Sequence, residues 1–206
     1  MGERLLRPTV ALVEWYSAQF SDGDAGMADA GLRRLVDAFP HNSELSDVLL
    51  KVAAINAIYA TNIYAIFPVA RHIRDLQIDA RLAKRDPTLV SDIAAIQIAG
   101  KHRFNYSFAS KYCAWHVPEA YAIYDSYVDW LLWRYQVEEQ FFSGGFRRYE
   151  LRDYSRFIYI HQAFRSHFSL ERLALKEVDH FLWLYGQKAM TGAADADGSA
   201  PLSGDV

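Results

Sequence analysis

A single cysteine, Cys113, stands among 206 residues. That excludes an internal disulfide framework, a cysteine-ligated zinc site and a four-cysteine iron–sulfur cluster, and it suits a reducing cytoplasm. No uncharged apolar run reaches the roughly 18 residues a membrane span needs. The start, MGERLLRPTVALVEW, lacks the apolar core and small-residue cleavage site of a secretory leader, so none is expected. The chain has no G-x-x-x-x-G-K-[ST] or G-x-G-x-x-G loop to cradle phosphates, and no H-E-x-x-H. No serine sits in a G-x-S-x-G turn. The seven histidines are scattered, none at a ligand spacing from a carboxylate, so neither a metal nor a cofactor is expected. A large charge of one sign is missing too, the net charge being −3.

What is present is apolar and helical in rhythm. Apolar residues make up 51% of the chain and aromatics 15%, enough for a sizeable core. Val10, Val13, Tyr16 and Phe20 share one helical face, and Leu32, Leu35, Val36 and Phe39 share a second that Pro40 stops. SELSDVLLKVAAINAIYA comes next, with Ser43 as its expected N-cap, and Pro68 opens VARHIRDLQ. RDPTLVSDIAAIQIAG reads as one helix capped by Asp86, with Pro87 in its first turn and Gly100 at its end. SFASKYCAWH is a short helix halted before Pro118, and Asp125 starts DSYVDWLLWRYQ. Gly144 and Gly145 break the chain. Two long helices then close the domain, the second stopped by Gly186. The expectation is an all-α, multi-helix single domain over residues 1–188. The acidic stretch 189–206 is expected to be disordered.

Charge is uneven along the chain. Residues 1–50 hold four basic and eight acidic groups, residues 71–111 eight and four, and residues 141–190 eight and five. Charge alone favours an ordinary solvated surface over a basic face on a neutral body.

Lys111 and Asp125 sit in the most aromatic stretch. Asp125 follows the Pro-led linker VPEAYAIY and precedes an apolar helix. It is either a helix cap, worth about 1 kcal/mol, or an aimed carboxylate that takes a proton or stabilises a developing cation. Lys111 is either a surface lysine with its stem on apolar neighbours, or an amine desolvated among Phe108, Tyr112 and Trp115 and so nucleophilic near neutral pH.

The segment SKYCAWHVPEAYAIYDSYV resembles the catalytic segment of the helix-hairpin-helix DNA glycosylases, in particular the 8-oxoguanine-glycosylase-like branch. In that family a helix carries a lysine, a proline-containing linker comes after it, and an aspartate opens the next helix. The resemblance spans residues 45–185, with its specific part at 107–130. It implies an all-helical, DNA-glycosylase type of fold and a cytoplasmic base-excision-repair enzyme acting on duplex DNA, a hydrolase and lyase. Lys111 and Asp125 are its implied catalytic residues. The upstream AAINAIYATNIYAIFPVARHI is similar to the family's early helix–turn–helix, so Asn56, Thr61 and Asn62 are expected to fill the gap left by an extruded base. Trp115, Tyr121, Tyr124 and Tyr127 are expected to stack on that base or to pack in the core. The family's Gly-x-Gly hairpin, which holds a DNA phosphate, is replaced by GKHRFNYSFAS. Lys101, His102, Arg103, Asn105 and Ser107 would then make phosphate contacts through side chains, joined by Arg147, Arg148 and Arg152 from the later basic stretch.

Two rival classes fit some residues. A helical ribonuclease using Arg and His is suggested by Arg156 with His161 and by Arg34 with His41. The first pair lies about 140° apart around a regular helix. A catalytically silent helical module that binds protein or nucleic acid fits the single hairpin glycine and the neutral charge.

Overall fold

The computed structural model describes residues 4–192, so the expected disorder of the C-terminal tail falls mostly outside the described residues. The protein is mostly helical, as its periodicity implies. Its chain divides into two compact units, one of Met1–Ala25 with Asp125–Val206 and one of Gly26–Tyr124. Among the described residues, no helix is long and apolar enough to cross a membrane.

The first unit contains α1 (Val10–Asp22), α8 (Ser126–Glu139), a 3-10 turn (Arg148–Arg152), α9 (Tyr154–His167) and α10 (Leu175–Thr191). Thr9 caps α1 by accepting from the amide of Leu12. Its apolar face, Val13, Tyr16 and Phe20, is buried. The Tyr16 ring lies 5.5 Å from that of Phe181 and 5.6 Å from that of Tyr185, both on α10. The segment before α1 is pinned by buried phenols. Tyr135 donates to the Leu6 carbonyl at 2.7 Å, and the Leu6 amide donates to the Tyr185 hydroxyl at 2.7 Å.

Gly186 does not stop a helix. α10 runs through it to Thr191 and ends at Gly192, whose φ of 74° is the left-handed cap. The reason lies on α8, because a Cβ at position 186 would stand 3.1 Å from the Tyr127 carbonyl oxygen and 3.2 Å from the Tyr127 Cβ. Close helix approach, not chain reversal, selects this glycine. Gly186→Ala is therefore expected to lose about 1–2 kcal/mol in urea unfolding, because overpacking outweighs the roughly 1 kcal/mol gained in helix propensity.

The second unit contains most of α2 (Asp24–Ala38), then α3 (Leu45–Tyr59), α4 (Ile66–Asp75), α5 (Asp79–Ala83), α6 (Thr88–Ala94), strands β1 (Ala95–Ile98) and β2 (Lys101–Phe104), and α7 (Tyr106–His116). Packing of α3 on α4 and of α6 on α7 buries Val48, Val52, Ile55, Val69, Ile73, Leu89, Val90, Ile93, Phe108 and Tyr112. Glu44 rather than Ser43 occupies the N-cap of α3, without a side-chain bond. Pro68 is the third residue of α4 rather than its opener.

The helix expected over residues 86–100 is shorter than its sequence implies. Pro87 rather than Asp86 is the N-cap, with Asp86 just before it accepting from the Thr88 amide at 2.9 Å, and α6 runs only from Thr88 to Ala94. Beyond it the chain forms an antiparallel hairpin pairing Ala95 with Phe104, Ile96 with Arg103, Gln97 with His102 and Ile98 with Lys101. Its two central residues, Ala99 and Gly100, have φ of 50° and 75°. Positive φ at both is what a type I′ turn requires, and that turn matches the twist of paired strands. Gly100 thus ends a strand, not a helix.

Candidate functional site

The hairpin leads directly into the lysine helix. The Asn105 amide donates to the Ala94 carbonyl at 2.9 Å, closing the hairpin where α6 leaves and α7 enters. Lys101, His102 and Arg103 are all exposed on β2. One turn into α7, Lys111 is only 3% exposed. Its amine donates to the Ser107 hydroxyl at 2.7 Å, a partner four residues back on the same helical face. It also reaches the Tyr124 carbonyl at 3.4 Å. The Tyr59 ring centroid lies 5.4 Å from its Nζ, within cation–π range. Ser110 fixes the same stretch of linker by accepting from the Tyr124 amide at 3.0 Å. The lysine's stem is therefore inside the unit rather than along its surface, and both of these acceptors of its amine are neutral oxygens.

Asp125 is the first residue of the other unit, one peptide bond beyond the carbonyl that Lys111 meets. It is the N-cap of α8, its Oδ1 accepting from the amides of Tyr127 and Val128 at 3.0 Å each. The capping role is thus present in full. It fixes the carboxylate where the positive end of α8 favours its charge.

The other candidates are dispersed over both units. Asn56 closes the turn after α3, its amide donating to the Ile63 carbonyl and its Oδ1 accepting from the Thr61 hydroxyl and the Ile63 amide at 2.8–3.0 Å. Asn62 sits at φ 58° in that turn, and Tyr64 beside it is 94% exposed. Trp115 is buried; its indole donates to the Tyr59 hydroxyl at 3.2 Å and the Arg33 guanidinium covers its ring at 5.0 Å. Tyr121 is buried with its hydroxyl on the Asp86 carbonyl. The Tyr124 ring packs 4.4 Å from that of Tyr106. Tyr127, in the first unit, faces Gly186 and Trp183. Most of these aromatics are packed against other rings or bonded, as core residues are. Ser107 serves Lys111, and Asn105 holds the hairpin mouth through its backbone.

Arg147, Arg148 and Arg152 belong to the first unit. Arg148 pairs with Asp129, and the Arg147 amide donates to Glu150 at 2.7 Å. Of the rival pair, Arg156 is bonded to Glu150 at 2.9 Å and its guanidinium lies over the Phe142 ring, while His161 is 0% exposed beside Asp179. Arg34 and His41 are exposed, and His41 lies 3.8 Å from Asp79.

A second polar cluster in the Gly26–Tyr124 unit escapes a reading of the sequence. Lys51, on α3, is completely buried. Its three donors find three acceptors, the carbonyls of Phe39 and His41 and Asn42 Oδ1, at 2.8–2.9 Å. Asn42 Oδ1 also accepts from the Tyr112 hydroxyl at 2.6 Å, and its amide nitrogen donates to Asp79 at 2.7 Å. Burial pulls the Lys51 amine down to about 8, against the opposing pull of Asp79 and Asp47. The signal present in the sequence is a lone lysine inside VLLKVAAI, with no carboxylate four residues away on either side to hold it at a surface except Asp47. Cys113 lies nearby in the same helix as Tyr112; burial pushes its thiol far up, which leaves it inert.

His116, at the end of α7, has a buried Nε2 with no hydrogen-bond partner among the described residues. Burial, helped by Lys51, lowers its pKa to about 3. His180, stacked 3.9 Å from Phe20 in the other unit, is lowered by burial to about 4. Both rings fold neutral, so the unfolded chain binds the extra protons below about pH 6.5, and stability falls as pH drops toward 4. Each histidine is expected to cost about 1–2 kcal/mol between pH 7 and pH 5. Urea midpoints at the two pH values measure this, and His116→Leu should remove its share of the loss.

No solved structure matches the chain. A protein of Haemophilus influenzae named "Uncharacterized protein" is 34% identical over 192 residues, covering 87% of this chain and 89% of that one. The family model HI_0787_N, described as an N-terminal domain, matches residues 12–120, which include the Lys51 cluster, the hairpin and the lysine helix. The chain belongs to the HI_0787_N family.

Proposed function

We propose that the protein is a base-excision DNA glycosylase with lyase activity, in which Lys111 is the nucleophile. The observation that carries this reading is the Lys111 amine itself. It is withdrawn from water, bonded to the Ser107 hydroxyl and the Tyr124 carbonyl, and placed about two turns after an exposed basic hairpin. Duplex DNA is the partner that such a hairpin suits, through phosphate contacts from Lys101, His102 and Arg103.

In the reaction, the amine in its neutral form attacks C1′ of the damaged nucleoside. The new C1′–N bond replaces the glycosidic bond, and the base leaves with the bonding electrons and takes up a proton. Opening of the sugar ring gives a protonated Schiff base. Loss of a C2′ proton then expels the 3′ phosphate by β-elimination. Ser107 and the Tyr124 carbonyl orient the amine before attack, and the long 3.4 Å bond to Tyr124 is the one to be released. Asp125 supplies the carboxylate that the resemblance requires as proton acceptor and counter-charge. An oxidised purine is the base class that the resemblance indicates.

Borohydride reduction in the presence of a duplex carrying 8-oxoguanine tests the reading, because it converts an amine Schiff base to a stable protein–DNA adduct. An adduct is expected. Binding without an adduct, across oxidised, alkylated and abasic duplexes, would leave a nucleic-acid-binding module in place of the enzyme.

A further inference from the structure

One face of the hairpin offers more than phosphate contacts. Gln97, His102, Ala95 and Phe104 alternate onto it, since cross-strand partners share a face. A cup of about 450 Å³ opens there, lined by Ala95, Ile96, Gln97, His102, Arg103 and Phe104. Its wall is the Phe104 ring, 55% exposed despite its size. That ring is held in place from behind, stacked on Tyr106 at 5.8 Å and 19°, with the Tyr106 ring itself against Tyr124 at 4.4 Å. The Asn105–Ala94 bond fixes the backbone at its base. On the same face as the ring, the Gln97 amide and His102 imidazole approach to 3.3 Å and offer both donor and acceptor atoms. Ala95, the cross-strand partner of Phe104, leaves room beside the ring because it is small. Residues 95–104 contain Lys101 and Arg103 and no acidic residue.

We infer that this cup is a binding site for one unpaired nucleobase of a DNA strand, stacked on Phe104 and met at its edge by Gln97 and His102, with Arg103 on the adjoining phosphate. The inference rests on the nucleic-acid half of the proposed function and adds a base-contacting site to it. An aromatic platform beside a cationic strand is the arrangement that takes single strands without regard to sequence, because every base offers a face to stack while the phosphates meet the positive charge. A duplex keeps its base faces covered and would present phosphates alone.

The test is fluorescence anisotropy with an undamaged single-stranded DNA 12-mer and a 12-mer of equal phosphate number whose bases are replaced by tetrahydrofuran. The parent protein is expected to bind the base-bearing strand about tenfold more tightly. Phe104→Ala should erase that preference and Phe104→Trp should keep it. Arg103→Ala should weaken both strands alike and reduce the salt slope by about one. Equal binding of the two strands by the parent, or an undiminished preference in Phe104→Ala, overturns the inference. The parent comparison stands whether or not a variant folds. Borohydride trapping is read separately on the same preparations. An adduct without base preference removes only this site, whereas base preference without an adduct removes the enzymatic reading and leaves the site standing.

Discussion

Lys111→Gln is expected to abolish borohydride trapping and strand cleavage entirely, while the protein still binds DNA. Glutamine is close in length and keeps a donor for the Ser107 hydroxyl and the Tyr124 carbonyl, two of the groups that Lys111 meets. It has no nucleophilic amine. The fold should therefore lose no more than about 1–2 kcal/mol, and activity should fall below detection because no Schiff base can form. Asp125→Asn is the companion measurement. The cap on α8 uses Oδ1 to accept from two amides, and an asparagine oxygen accepts the same pair. Stability should change by under about 1 kcal/mol. Excision should fall by about a hundredfold or more if the charge stabilises a cationic sugar. Parent-like excision by Asp125→Asn would reduce this residue to a cap, and an adduct formed by Lys111→Gln would assign the nucleophile elsewhere.

The largest loss of stability is expected from Lys51→Met. Methionine fills a similar volume but leaves the Phe39 and His41 carbonyls and one lone pair of Asn42 Oδ1 without the donors they now have. Orphaned buried acceptors cost about 1–3 kcal/mol each, so a loss of about 3–5 kcal/mol is expected by urea unfolding. The parent also carries a pH signature. With its folded pKa lowered to about 8 from 10.5, the unfolded chain holds one more proton between those values, so stability rises with pH across that window. A gain of about 1–2 kcal/mol from pH 7 to 9.5 is expected in the parent. Lys51→Met should show none of it. A variant as stable as the parent would mean that the Asn42–Tyr112–Asp79 bonds hold this region without the lysine.

The contrast between Lys51 and Lys111 shows why the sequence singles out one and passes over the other. Lys111 stands mid-way along α7, 14 residues before an aspartate that opens the next helix, and that spacing is written locally. Lys51 is an ordinary position in an apolar helix. Its importance comes from Asn42, and through Asn42 from Tyr112, which lies 70 residues beyond that asparagine. Likewise the β-hairpin hides in AIQIAGKHRF. Strands of four residues are too short to establish an alternation, and the preceding apolar residues continue a helical rhythm up to Ala94.

What the sequence by itself determined is the helical character of the chain and the helix starts that carry their own caps. Thr9, Asp125 and Asp153 each precede a helix and accept from its first-turn amides. Such a bond forms between residues two or three apart, so its partners are written side by side in the chain. The tertiary structure alone decided that Gly186 continues a helix, that Gly100 turns a hairpin, and that Lys51 is buried with its charge satisfied. Each of these depends on a group supplied by another element or strand: the Tyr127 backbone, the facing strand, and the carbonyls before α3. A glycine or a lysine has the same local preferences wherever it stands. Which of them is used is settled by the atoms that folding brings within a few ångströms of it.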